Sequence, residues 1–142
     1  MKNLAIITGV YLILICCCTG CSKKSSGGGS GGGGTTVTEE NLLIGIDPDT
    51  GNAVASSLGA TYDFKTTIKS KMSAAGVKID IVCTKDADNS TVSSQTVSST
   101  STPVSVSVNN LQPGVLCTVK VTVTSASKPS NTVTLSFKVA RK

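Results

Sequence analysis

Val115-Leu116-Cys117-Thr118-Val119-Lys120-Val121-Thr122-Val123-Thr124 puts Val115, Cys117, Val119, Val121 and Val123 at every second position, alternating from Cys117 onward with Thr118, Lys120, Thr122 and Thr124. A side-chain period of two belongs to a β-strand with one face in a core and the other in water. The β-branched residues favour the same pleated conformation. Downstream, Val133, Leu135, Phe137 and Val139 alternate with Thr134, Ser136 and Lys138. Upstream, Val104, Val106 and Val108 alternate with Ser105 and Ser107, and Val77, Ile79, Ile81 and Cys83 stand opposite Lys78 and Asp80. In Ala60–Ile68, Tyr62, Phe64 and Ile68 share one face, and Asp63, Lys65, Thr67 and Lys69 take the other.

Turn chemistry separates these runs at Ala75-Gly76, Asp86 to Asn89, Gln112-Pro113-Gly114 and Lys128-Pro129-Ser130-Asn131. A weaker strand is expected at Thr91–Val97, and one more at Leu42–Ile46 or Ala53–Ser57; Met72, in Lys69–Ala75, hints at a helical turn. Short strands at this spacing, each with one apolar face, predict an all-β fold: an antiparallel β-sandwich of six or seven strands.

The stretch Leu111-Gln112-Pro113-Gly114-Val115-Leu116-Cys117-Thr118-Val119-Lys120-Val121 resembles the L-x-P-G-x-x-Y-x-V-x-V signature of fibronectin type III domains at the turn into their sixth strand. Cys117 stands where that family has its corner tyrosine, and the chain has no tryptophan for the second strand. The broader description, an immunoglobulin-like or fibronectin III-like sandwich, is therefore the one that the resemblance implies. It sets the strands of Cys83 and Cys117 side by side and antiparallel, with both cysteines inward. Directly opposite residues in such a pair have Cα atoms about 4.5–5.5 Å apart, within a disulfide's reach. The resemblance thus implies a disulfide between Cys83 and Cys117, contributing about 3–4 kcal/mol. The alternative is two buried free thiols packed as small hydrophobes.

The sequence ahead of the sandwich has a different character. Met1-Lys2-Asn3 is a short basic start, and Leu4 to Cys18 is a 15-residue apolar run. A spanning helix wants about 20 residues, so the run suits the apolar region of a secretory signal better than a membrane span. Cys18-Thr19-Gly20-Cys21 resembles the lipobox of bacterial lipoproteins, with Cys18 where that family usually has Leu, Val or Ile. The resemblance implies a signal peptide over residues 1–20, cleavage before Cys21, and acylation of the Cys21 sulfur. Two acyl chains would hold the product stably on a membrane. An uncleaved signal anchor, or cleavage elsewhere with Cys21 left as a thiol, is the competing reading. Ser22, rather than Asp, after the cysteine favours the outer membrane by resemblance to enterobacterial sorting.

Residues 21–36 hold Lys23, Lys24 and a run of glycine and serine that buries no apolar area. As a flexible coil this tether would span about 20 Å, leaving residues 37–142 as the folded domain. The net charge of +5 is carried partly by Lys2, Lys23 and Lys24; from Val37 onward ten Lys and Arg face eight Asp and Glu. Such balance, with few aromatics, argues against a nucleic-acid partner.

The chain contains no histidine, which removes Ser-His and Cys-His nucleophile activation and any histidine-containing zinc site. Asp47-Pro48-Asp49-Thr50-Gly51-Asn52 superficially resembles a calcium loop, but its twelfth position, where a bidentate acid is needed, is Leu58. It reads as turn chemistry, as do Asp86, Asp88 and Asn89. No catalytic site, metal or cofactor is expected. Two functions from different classes remain. One is a structural or protein-interaction module of the cell envelope, held to the membrane through acyl chains on Cys21 and offering loops or a strand edge to a partner. The other is a glycan- or ligand-binding module, which would have to work without exposed aromatics, because Tyr62, Phe64 and Phe137 are all expected inward.

Overall fold

The computed structural model describes residues 38–142; the leader, Cys21 and the tether lie outside the described residues. Eight strands form in chain order: β1 (Ile44–Asp47), β2 (Val54–Ser57), β3 (Tyr62–Ile68), β4 (Val77–Lys85), β5 (Thr91–Ser99), β6 (Val104–Val108), β7 (Leu116–Ser125) and β8 (Thr132–Arg141). They make two sheets, one of order β1-β3-β6 and one of order β2-β8-β7-β4-β5. The architecture is an all-β sandwich with immunoglobulin-like strand order.

Two details go beyond the expected six or seven antiparallel strands. The single early strand proves to be two: Pro48, which has no N–H to give a ladder, follows β1 directly. The chain therefore crosses to the other sheet, where β2 pairs with β8 in parallel, Val54 opposite Lys138 and Ser57 opposite Arg141. All other strand pairings are antiparallel. Met72 forms no helix; its segment closes as a turn in which the Gly76 amide donates to the Ser73 carbonyl. Gly76 has φ +78°, and a Cβ there would lie 2.2 Å from the Ser99 carbonyl oxygen, so only glycine lets β4 start so close to the end of β5.

The core lies between the sheets. Val77, Ile79, Ile81 and Cys83 of β4, and Cys117, Val119, Val121 and Val123 of β7, meet Phe64 and Ile68 of β3 and Val106 and Val108 of β6. Phe64 and Phe137 pack edge to face with ring centroids 5.2 Å apart, and Tyr62 lies 6.0 Å from Phe137. The three aromatics of the domain thus face inward together, as the alternation predicts.

At one end of the sandwich the segment ahead of β1 is fastened by Asn131, which is 7% exposed. Its side-chain oxygen accepts from the Leu42 amide at 2.9 Å, and its amide nitrogen donates to the Glu40 carbonyl at 2.8 Å and to the Glu39 carboxylate at 2.9 Å. Ser127 also donates to Glu39, at 2.8 Å. At the opposite end the Lys142 amide donates to the Ser57 carbonyl and the Gly114 amide to the Arg141 carbonyl, both at 2.9 Å. The domain therefore receives the segment ahead of β1 at one end and holds Lys142 at the other.

Candidate interaction surface

A sheet edge exposes unpaired backbone N–H and C=O groups, and folded proteins usually shorten, charge or interrupt such edges. The four edges here differ in this respect. β1 and β2 are four residues long, and Pro48 follows β1. β6 is five residues long, follows Pro103 and has part of its rim covered by β5. There the Gln95 side-chain amide donates to the Ser107 carbonyl at 2.8 Å, and the Ser93 hydroxyl accepts from the Asn109 amide at 3.4 Å.

β5 has none of these protections along most of its length. It is nine residues long and contains no charged residue and no proline. It closes the order of the larger sheet, with β4 as its neighbour on one side. One irregularity marks its start: Cys83 pairs with Ser93 and Thr84 with Thr91, so Val92 bulges out of the ladder. From Ser93 to Ser99 the register with β4 is regular, Ser99 opposite Val77 and Ser93 opposite Cys83. The strand alternates half-buried and exposed residues along this stretch. Val97 packs against the core, while Ser94, Thr96 and Ser98 point outward.

The outward face beside this edge is polar and internally bonded. Thr96 donates to Asp80 at 2.6 Å, and Lys78 meets the other oxygen of that carboxylate at 3.0 Å. The Thr96 hydroxyl and then the Lys78 ammonium hold the Asp80 carboxyl below its ordinary range. Farther across the sheet, Thr122 lies 3.2 Å from Thr134, and Thr132 donates to Thr124 at 3.1 Å. These hydroxyls satisfy one another.

Cys21 lies outside the described residues. Cys83 and Cys117 are both fully buried and stand as free thiols rather than as a bridge. The register gives the reason: Cys83 stands opposite Val119, and Cys117 opposite Lys85, so the cysteines are diagonal neighbours. Their side chains are neighbours across the two strands, without the directly opposite placement that the resemblance implies. Burial, reinforced by the nearby Cys117 sulfur, pushes the Cys83 thiol up to about 12. It packs as a hydrophobe and is a poor nucleophile.

The Asp47–Asn52 loop is held by its own bonds. Asp49 accepts from the Gly51 amide at 2.9 Å and the Ala53 amide donates to the Thr50 carbonyl at 2.8 Å, while Leu58 is 89% exposed. Asp86 sits at the β4–β5 turn, where the Lys138 ammonium and the Thr118 hydroxyl hold its carboxyl below the usual range. Asp88 accepts from the Ser90 hydroxyl and amide, closing the same turn.

Two concavities accompany these features. One, of about 450 Å³, lies on the smaller sheet among Asp47, Asp63, Lys65, Gln95, Ser105 and Ser107. The other, of about 650 Å³, lies at the receiving end between Glu39, Glu40, Lys71, Met72 and Lys128. Neither presents an aromatic side chain to solvent: Phe64, which borders the first, is 3% exposed.

No family model and no curated protein matches this chain. Among solved structures it is similar to the sensor domain of the anti-sigma factor RsgI4 from Pseudobacteroides cellulosolvens, with 20% identity over 70% of this chain and 76% of that one, at a TM-score of 0.43.

Proposed function

We propose that the chain is a cell-envelope lipoprotein, anchored through acyl groups on Cys21, whose β-sandwich serves as a protein-interaction module. The observation that carries the interaction role is β5: a nine-residue edge, uncharged and free of proline, in a domain whose other edges are short, flanked by proline or covered. Strand addition uses such an edge, the backbone supplying hydrogen bonds and alternate side chains supplying selectivity. The anchoring rests on Cys18-Thr19-Gly20-Cys21 behind a basic start and an apolar run. Outer-membrane attachment follows from Ser22 by the resemblance already described.

Two measurements test the two halves. Metabolic labelling with a palmitate analogue marks the wild type and leaves Cys21→Ala unmarked; equal labelling, or none on the wild type, overturns the anchor. A photocrosslinking amino acid at position 96 yields a covalent product in intact cells, whereas the same group at position 120, in the middle of the sheet, yields little. Equal yields from the two positions overturn the edge reading.

A further inference from the structure

The regular part of β5 reads Ser93-Ser94-Gln95-Thr96-Val97-Ser98-Ser99. About Thr96 it is a palindrome apart from one pair: Ser93 mirrors Ser99, Ser94 mirrors Ser98, and Gln95 mirrors Val97. An antiparallel pairing of two identical strands about a two-fold axis puts each residue opposite its mirror position. We propose that β5 pairs with β5 of a second copy of this chain, antiparallel, with the axis through Thr96. The inference rests on the edge reading above and names the partner of that edge.

The register follows from the pleat. Side chains on one face must meet side chains on the same face, so paired positions must have the same parity. Centring on Thr96 meets this condition. Outward, it sets Thr96 against Thr96 and Ser94 against Ser98, the hydroxyl pairs that stabilise neighbouring strands. Inward, Gln95 meets Val97 and Ser93 meets Ser99. A shift of one residue would put the half-buried Val97 opposite an outward position. A shift of two toward the start of the strand would bring the bulge at Val92 into the ladder, and a shift of two toward its end would leave only Gln95 to Ser99 to pair.

Charge does not oppose the pairing. β5 brings no charge of its own, and the nearest charges, Lys78 and Asp80, lie one strand inboard and bond to each other. Across the axis the two Asp80 carboxylates would be separated by three strand spacings, about 14 Å, farther than the screening length of about 8 Å at physiological salt. β5 also keeps its own side-chain bonds to β6, so the partner strand need not displace them. The product is a continuous ten-stranded sheet. Such an edge contact buries little area and forms at high local concentration, the condition that attachment to one membrane surface would create.

Cysteine placement in the full-length chain tests the register. Thr96→Cys sets two thiols face to face, whereas Ser98→Cys sets its thiol opposite Ser94. Under mild oxidation, Thr96→Cys yields about tenfold more linked dimer than Ser98→Cys, and the double variant Ser94→Cys/Ser98→Cys links where each single change does not. Within the Thr96→Cys background, Ser94→Lys/Ser98→Lys opposes like charges and abolishes the link; Ser94→Lys/Ser98→Asp opposes unlike charges and retains it. Equal linking by Thr96→Cys and Ser98→Cys overturns the self-pairing. So does a photocrosslink from position 96 that captures only a different polypeptide, which leaves the edge reading standing. No crosslink product from that position removes both.

Discussion

β7 and β5 belong to one sheet and are nearly equal in length, ten residues against nine. β7 lies between β4 and β8, and its inward residues Cys117, Val119, Val121, Val123 and Ser125 are at most 1% exposed. Among the described residues β5 has a strand on one side only, and none of its residues is fully buried. Apolar area removed from water dominates stability, so the domain's free energy is concentrated around β7. β5 contributes little to it and is correspondingly free to carry residues chosen for a partner.

The sharpest way to break this contrast is to cut into the centre. Val121→Ala removes methyl groups from a fully buried site flanked on both sides, at a cost of about 2 kcal/mol, read as a lower urea midpoint at unchanged slope. Asn131→Ala comes next. It leaves the Leu42 amide and the Glu40 carbonyl without their partner and costs about 1–2 kcal/mol, with hydrogen exchange quickening first in Thr38–Leu43. Acid loosens the same fastening. The hydroxyls of Ser125 and Ser127, with the Asn131 amide, hold the Glu39 carboxyl below its ordinary value of 4.5. A lowered folded-state value means that the stabilisation is whole above that pH and is lost as pH falls through the folded-state value. Protection of the Leu42 amide should therefore decline on acidification, and Glu39→Gln should flatten that decline. The smallest effect belongs to the edge: Thr96→Lys, on the outward face of β5, changes stability by no more than about 0.5 kcal/mol. A loss as large as that of Val121→Ala would show that β5 is part of the stabilising centre after all.

The same contrast decides what could be read from the sequence. β7 announces itself because both its neighbours and the core constrain it, and strict alternation is the mark of that constraint. β3 hides one inward position, Thr66, which is fully buried with no bonding partner for its hydroxyl. Polarity alone gives a reader no reason to place it inside. The split of the first strand could have been found at Asp47-Pro48, where a ladder cannot continue. The fastening at Asn131 could not, because its partners lie 89 to 92 residues away in the chain. Local turn chemistry accounts equally well for an asparagine after Lys128-Pro129-Ser130. The position of β5 at an edge is likewise a property of sheet order. Its seven regular residues are legible as a palindrome only once that edge is known. The cysteines were read correctly as inward-facing, but a two-residue offset in register separates diagonal from opposite, and periodicity carries no information about offset.

The parallel pair of β2 and β8 has a mechanical consequence. Leu42 is held at the Asn131 end and Lys142 at the Ser57 end, so tension between the two points acts along the strands. The bonds joining Val54–Ser57 to Lys138–Arg141 then share the load in shear and must yield together, where a hairpin pulled from its open end would unzip one rung at a time.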